Sequence, residues 1–295
     1  MRLPTVILEG KKFPRIVFSV RPVSTSSGNQ GILSLMKNIY KMGGWCFDLP
    51  SMKHLKSLKD LRSLTDDETL IGLCHLEVEE GISFLGKPLH RVESKVISTV
   101  KKNLTRPDLI RHLLPSTSSS EVFTQKEMDR FVFDHTRLEK ALSFFQPDES
   151  PFLLVGERYG EWLLTMGRID LLKKIVSRTR EKGFIPIFSG QWATFVLPKA
   201  KSLDVAAYAT PINKKWSLFD LNQACDLIKK FDKPVISLNP LANGELLKEP
   251  EEAFSFLFNG LKIFSAITEI ASEEEATKIL GALKRFPSLI PPRKT

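Results

Sequence analysis

Asp48 ends a short apolar run, 45–48 (WCFD). A carboxylate in such a place needs a cation or hydrogen-bond donors, because a bare buried charge is costly. His75 and Glu77 stand at the end of a second run, 70–76 (LIGLCHL), and share a face if that strand continues to 77. Asp48, His75 and Glu77 together offer two carboxylates and an imidazole, the groups of acid–base chemistry and, as the alternative, of a metal site. No HxH or HExxH pattern accompanies them, so a rim histidine is the commoner arrangement and no metal is favoured. Glu157 and Arg158 lie between two glycines in GERYGEW (156–162), where backbone can approach a ligand. The guanidinium of Arg158 can grip a carboxylate or phosphate through two parallel hydrogen bonds; the competing reading is an arginine–glutamate loop pair. Asp48, Glu77 and Arg158 are the candidate catalytic residues.

Further polar residues follow apolar runs. Arg21, His75, Gln191, Asn213 and Lys214 are candidate substrate contacts, and Glu269 ends the last run. Ser189, Asn239 and Gly244 are candidates for holding a cofactor or phosphate. The last two belong to NPLANG (239–244), where a glycine permits close backbone approach. The loop RPVSTSSGNQG (21–31) could also take an anion, although a flexible connection explains it better. Trp162 and Trp192 read as packing residues.

These positions fall at the ends of eight short apolar runs: 15–20, 45–48, 70–76, 152–155, 185–188, 205–209, 234–238 and 263–267. Runs of this length, apolar on both faces, suit parallel strands covered on both sides. Between them lie stretches with helical spacing, including 31–42, 52–64, 92–103, 169–182 and 272–286. The alternation predicts a (β/α)8 TIM barrel, whose active site forms at the C-terminal ends of its strands. Residues 104–150 break the cadence with Pro107, Pro115, a polar tract at 116–120 and a helical segment near 137–145. This predicts a helical insertion between strands three and four, overhanging the mouth.

The chain of 295 residues suits a single barrel domain spanning 1–295. Lysine and arginine exceed aspartate and glutamate by 43 − 34 = 9. The basic residues are dispersed and interrupted by acidic clusters, which disfavours nucleic acid; a small anionic ligand accounts for the excess as well. Three cysteines without CxxC spacing read as buried thiols in a reducing, cytoplasmic setting. No apolar run is long enough for a membrane span. Oligomeric state has no signature in the sequence.

Four segments together resemble the aldo-keto reductases, NAD(P)-dependent (β/α)8 barrels. IYKMGGWCFDLP (39–50) is similar to that family's passage from its first helix to its second strand. REKGFIPIFSGQW (180–192) is similar to its approach to strand five, KPVISLNPLANGELL (233–247) to its strand-seven exit, and ITEIASEEEATKIL (267–280) to its last strand and cofactor-binding helix. The resemblance implies a catalytic Asp, Tyr, Lys and His, with the tyrosine as general acid during hydride transfer. Asp48 matches the aspartate. Lys53 stands at the tyrosine's spacing, His75 to Glu77 where the lysine is expected, and Gly156-Glu157 where the histidine is expected. Ser189-Gly190 replaces the serine–asparagine pair that holds the nicotinamide. Acidic Glu273–Glu275 covers the place of the basic residue that meets an adenosine 2′-phosphate. The resemblance therefore implies the fold without the usual reaction, and nicotinamide cofactor use only weakly.

Overall fold

In the computed structural model, residues 2–21, 28–104, 114–117, 119–216 and 220–284 are described. An antiparallel hairpin opens the chain, pairing Thr5–Leu8 with Lys11–Pro14 across a turn in which Glu9 and Gly10 have φ of 46° and 78°. Eight parallel strands then close into a barrel in sequential order. They are Ile16–Ser19, Cys46–Leu49, Ile71–Leu76, Phe152–Gly156, Ile185–Ser189, Ala207–Pro211, Val235–Leu238 and Ser265–Glu269. The (β/α)8 architecture expected from the sequence is present.

The strands close because their side chains fill both faces. Phe18, Phe47, Phe152 and Phe188 are fully enclosed, each contributing roughly 2–3 kcal/mol of apolar burial. The outer layer includes helices Gly28–Lys41, Met52–Thr65, Glu93–Asn103, Ile169–Glu181, Ala193–Ala200, Leu221–Lys230, Pro250–Ser255 and Glu273–Lys284. The hairpin seals the N-terminal end of the barrel. Phe13 is wholly buried and meets Phe152 edge-on at 4.8 Å and Phe264 at 6.1 Å, touching the starts of strands four and eight.

Strand eight begins two residues later than the apolar run suggests. Arg15 donates from Nη1 to the carbonyls of Phe264 (2.7 Å) and Ile263 (3.3 Å), so these residues serve a buried guanidinium before the ladder begins.

The interruption between strands three and four is not purely helical. Its strand Phe131–Phe133 joins Ile82–Phe84 and Lys87–Pro88, which precede residue 104, in a three-stranded antiparallel sheet. Phe84, Phe123 and Phe131 form its core, with ring centroids 4.9–5.1 Å apart. Helix His135–Leu142 follows. Its Glu139 pairs with Arg178 and with Lys182, at 2.5 Å from the latter, while Leu138 and Ile175 close over Gly81. The described part of the insertion thus runs down the outside of Ile169–Glu181. The Met128 carbonyl accepts from Arg168 at the start of that helix, and Glu139 is tied to its other end, nearest the barrel floor.

Candidate active site at the C-terminal mouth

Barrel register sets the site. Ser19 pairs with Asp48 across strands one and two, and Asp48 with Leu73 across strands two and three. His75 is two residues beyond Leu73 and therefore on the same face. The Ser19 hydroxyl donates to Asp48 Oδ2 at 2.7 Å, and His75 Nε2 lies 2.5 Å from Asp48 Oδ1. Arg21 Nη2 stands 3.9 Å from Asp48 Oδ2. Asp48 is 2% exposed, and these partners meet the requirement that its burial raises.

The third member is Glu157. Its Oε1 lies 2.7 Å from His75 Nδ1, so the imidazole bridges two carboxylates. Gly156 makes this possible. Its φ is 124°, and a Cβ there would fall 2.5 Å from the backbone oxygen of Ser189. Glu157 follows at φ 44°, a left-handed conformation that a non-glycine residue adopts at some cost and that clusters at functional sites. Half of its side chain is exposed, so Glu157 is the part of the set that faces the mouth.

The charges are mutually supporting. Burial alone would lower the pKa of His75, but the charge and hydrogen bonds of Asp48 and Glu157 raise it to about 9. Burial would raise that of Asp48; His75, Ser19 and Arg21 bring it below the ordinary carboxylate value. The His75 hydrogen bond likewise lowers Glu157 against the effect of burial. At neutral pH the centre is an imidazolium between two carboxylates, with Arg21 beside it.

Glu77, expected in this set, is not part of it. Strand three stops at Leu76, and a tight turn over Val78–Gly81 carries Glu77 into the open, where it neighbours Glu79. Burial, with the added charge and hydrogen bond of Glu77, raises Glu79 to about 8. With both His75 nitrogens engaged by carboxylates, the ring has no lone pair for a cation. Among the described residues no group of three or more His, Cys, Asp or Glu is placed to hold a metal ion.

Arg158 points to a separate cluster. It pairs with Glu93 and lies over the rings of Tyr159 and Trp162 at 4.9 and 5.0 Å, while Tyr159 donates to Glu93 at 3.0 Å. The competing reading of Arg158, an arginine–glutamate pair, is the arrangement observed. Asn213, wholly buried, is a turn residue: Oδ1 accepts from the amides of Lys215 and Trp216, both at 2.9 Å, and Nδ2 donates to Asn239 O. Lys214 pairs with Glu252. Ser189 is enclosed at the end of strand five and Gln191 is exposed beyond it. Asn239, at φ 53°, exchanges hydrogen bonds with Asn243 at 2.7 Å, and Gly244, at φ 92°, lines a groove of about 630 Å³ against the last helix. Of the loop at 21–31, residues 22–27 lie outside the described residues.

Two mouth residues escaped the sequence reading. Glu161, on helix Glu157–Thr165, accepts the Trp192 amide at 2.7 Å, and burial pushes its carboxyl up to about 7. His54, on helix Met52–Thr65, is 2% exposed, with Nδ1 2.8 Å from Ser51 Oγ. The signals were present but faint: Glu161 is four residues from Glu157, on the same helical face, and His54 is next to the position where the family's tyrosine is expected.

No family model matches the sequence, and no curated protein does. Solved structures do. An aldo-keto reductase from Pseudomonas aeruginosa aligns with a TM-score of 0.59 at 13% identity, covering 96% of this chain and 95% of that one. The chain shares the (β/α)8 fold of that structure. The aldo-keto reductase of Bacillus halodurans, in its holo form, aligns with a TM-score of 0.58 at 10% identity over 99% of both chains. That of Bombyx mori, in complex with NADP, gives 0.54 at 8% identity, over 96% of this chain and 88% of its own. Identities this low establish the fold alone.

The last helix of the barrel, with three glutamates in its first turn, does not fit a 2′-phosphorylated dinucleotide. Glu275 Oε2 accepts the Ala271 amide at 2.8 Å, and Ser272 Oγ accepts that of Glu275 at 3.2 Å. The amides of Ala271 and Glu275 are thus engaged internally, within a first turn carrying three glutamates. Asn239 is likewise locked to Asn243. No helix among the described residues is long and apolar enough to cross a membrane.

Proposed function

We propose that this barrel is an enzyme that moves a proton on a small, polar, anionic molecule at its mouth, in place of the hydride transfer of the reductases whose fold it shares. The observation that carries this reading is His75 held between Asp48 and Glu157. Glu157 is the carboxylate that meets the substrate. Its strained backbone holds it against His75, whose charged ring keeps Glu157 ionised and able to take a proton, while Asp48 balances the charge of the ring. Arg21, half exposed beside Asp48, is the group for the substrate's anionic end. The three cysteines are buried and free, which supports a reducing, cytoplasmic setting.

Proton abstraction can be read without knowing the product. Small hydroxy acids, oxo acids and phosphorylated sugars in deuterated buffer would be followed by NMR for wash-in of deuterium beside the carbonyl or hydroxyl carbon. Wash-in is expected with the wild type and is expected to fall roughly a hundred-fold or more in Glu157→Gln and His75→Gln. Exchange that survives Glu157→Gln unchanged would overturn the assignment.

A further inference from the structure

His54 is a polar group of the mouth that the structure leaves unfinished. Its ring is buried, one nitrogen meets Ser51, and Nε2 has no hydrogen-bond partner among the described residues. A buried polar atom left in this state costs stability, and such atoms mark places where a native structure serves something besides folding. The ring begins the helix that follows strand two, six residues after Asp48. Asp48, Arg21 and His75 are the mouth charges that act on it, along with Lys53. Burial lowers its pKa below the usual histidine value, so it is neutral where His75 is charged.

Resting on the reading of the mouth given above, we propose that Ser51 and His54 form a proton relay, with His54 Nε2–H as the donor to the substrate oxygen while Glu157 removes the proton from carbon. Ser51 is exposed and can exchange with water. In the step, the Nε2–H bond breaks as the substrate oxygen takes that proton. Nδ1 takes the hydroxyl proton of Ser51, and water replaces it. The proton taken by Glu157 returns to water, so the protons balance and the ring stays neutral. On product release, Nδ1 returns its proton through Ser51 and water reprotonates Nε2. Two histidines then divide the work: His75, charged, steadies the carboxylates, and His54, neutral, delivers. With the Ser51 hydroxyl donating to Nδ1, the hydrogen of the neutral ring is expected on Nε2.

The test is NMR of the full chain labelled with 15N-histidine, His54 being assigned by its absence in His54→Asn. At pH 7, His54 is expected to be neutral with its proton on Nε2, and Ser51→Ala is expected to shift its Nδ1 resonance. Glycolate, a small hydroxy-acid anion, serves as the probe and is expected to shift both nitrogens of His54. His54→Asn keeps an amide toward Ser51 and removes the Nε2 position, so it is expected to melt no lower than the wild type while deuterium wash-in falls roughly a hundred-fold. A charged His54, or one protonated on Nδ1, overturns the relay. Glycolate shifts at His75 with His54 unmoved overturn the relay and leave the mouth reading standing. Glycolate shifts at His54 with wash-in that survives Glu157→Gln support the relay and remove Glu157. A probe that moves neither ring overturns both.

Discussion

His75 Nε2 lies 2.5 Å from Asp48 Oδ1 while Nδ1 of the same ring is held at 2.7 Å by Glu157. Only a protonated imidazole donates from both nitrogens, so the fold stores a proton at this point. A histidine proton held to about 9 rather than 6.5 corresponds to roughly 3 kcal/mol of folding free energy. Because the folded value is the higher, this contribution is complete below 6.5 and disappears as the pH climbs through 9. His75→Gln is therefore expected to melt well below the wild type at pH 6, with the gap narrowing steadily toward pH 10. Calorimetry across that range checks it, and a gap independent of pH would contradict it.

Glu161 has a slope of the same sign over a lower range. Its folded value of about 7 exceeds the ordinary 4.5, so the folded state favours the neutral acid, and ionisation above 4.5 costs stability, reaching roughly 3 kcal/mol beyond 7. Glu161→Gln keeps an oxygen for the Trp192 amide and loses the charge. It is expected to unfold at higher denaturant than the wild type at pH 8 and to match it near pH 4.5.

Gly156→Ala tests the turn that presents Glu157. Adding a Cβ at φ 124°, 2.5 Å from a backbone oxygen, admits no simple relief. A loss of about 2–4 kcal/mol is expected from urea unfolding. Where the protein still folds, deuterium wash-in should fall with it, whereas Gly167→Ala, with open space around its Cβ, should cost less and leave exchange unaltered.

The cofactor expectation is separable from all of these. The last helix begins with three glutamates, Glu273–Glu275, whose charge opposes a 2′-phosphate, so NADPH is expected to show no preference over NADH. Titration calorimetry with each nucleotide decides it: low-micromolar, NADPH-selective binding would mean that cationic groups outside the last helix receive the phosphate.

What the sequence could and could not convey follows from these residues. Asp48 was legible because a carboxylate ending an apolar run has few innocent explanations, and His75 because it ends the neighbouring run. Their partner was misjudged. Choosing Glu77 assumed that strand three continues, but buried Val78 turns the chain away; Glu157 comes within reach only through the φ of 124° at Gly156, which no periodicity reports. The three-stranded sheet between strands three and four of the barrel escaped because its strands span two or three residues, shorter than any alternation can reveal. The closed barrel was legible because eight runs, each apolar on both faces, allow few other arrangements.

The hairpin beneath the barrel has a kinetic corollary. With Phe13 stoppering the floor against strands four and eight, the site has one doorway. Incoming substrate, departing product and exchanging solvent must take turns at it. A product that lingers therefore blocks the next arrival, and inhibition by product should be competitive with substrate whatever the molecule turns out to be.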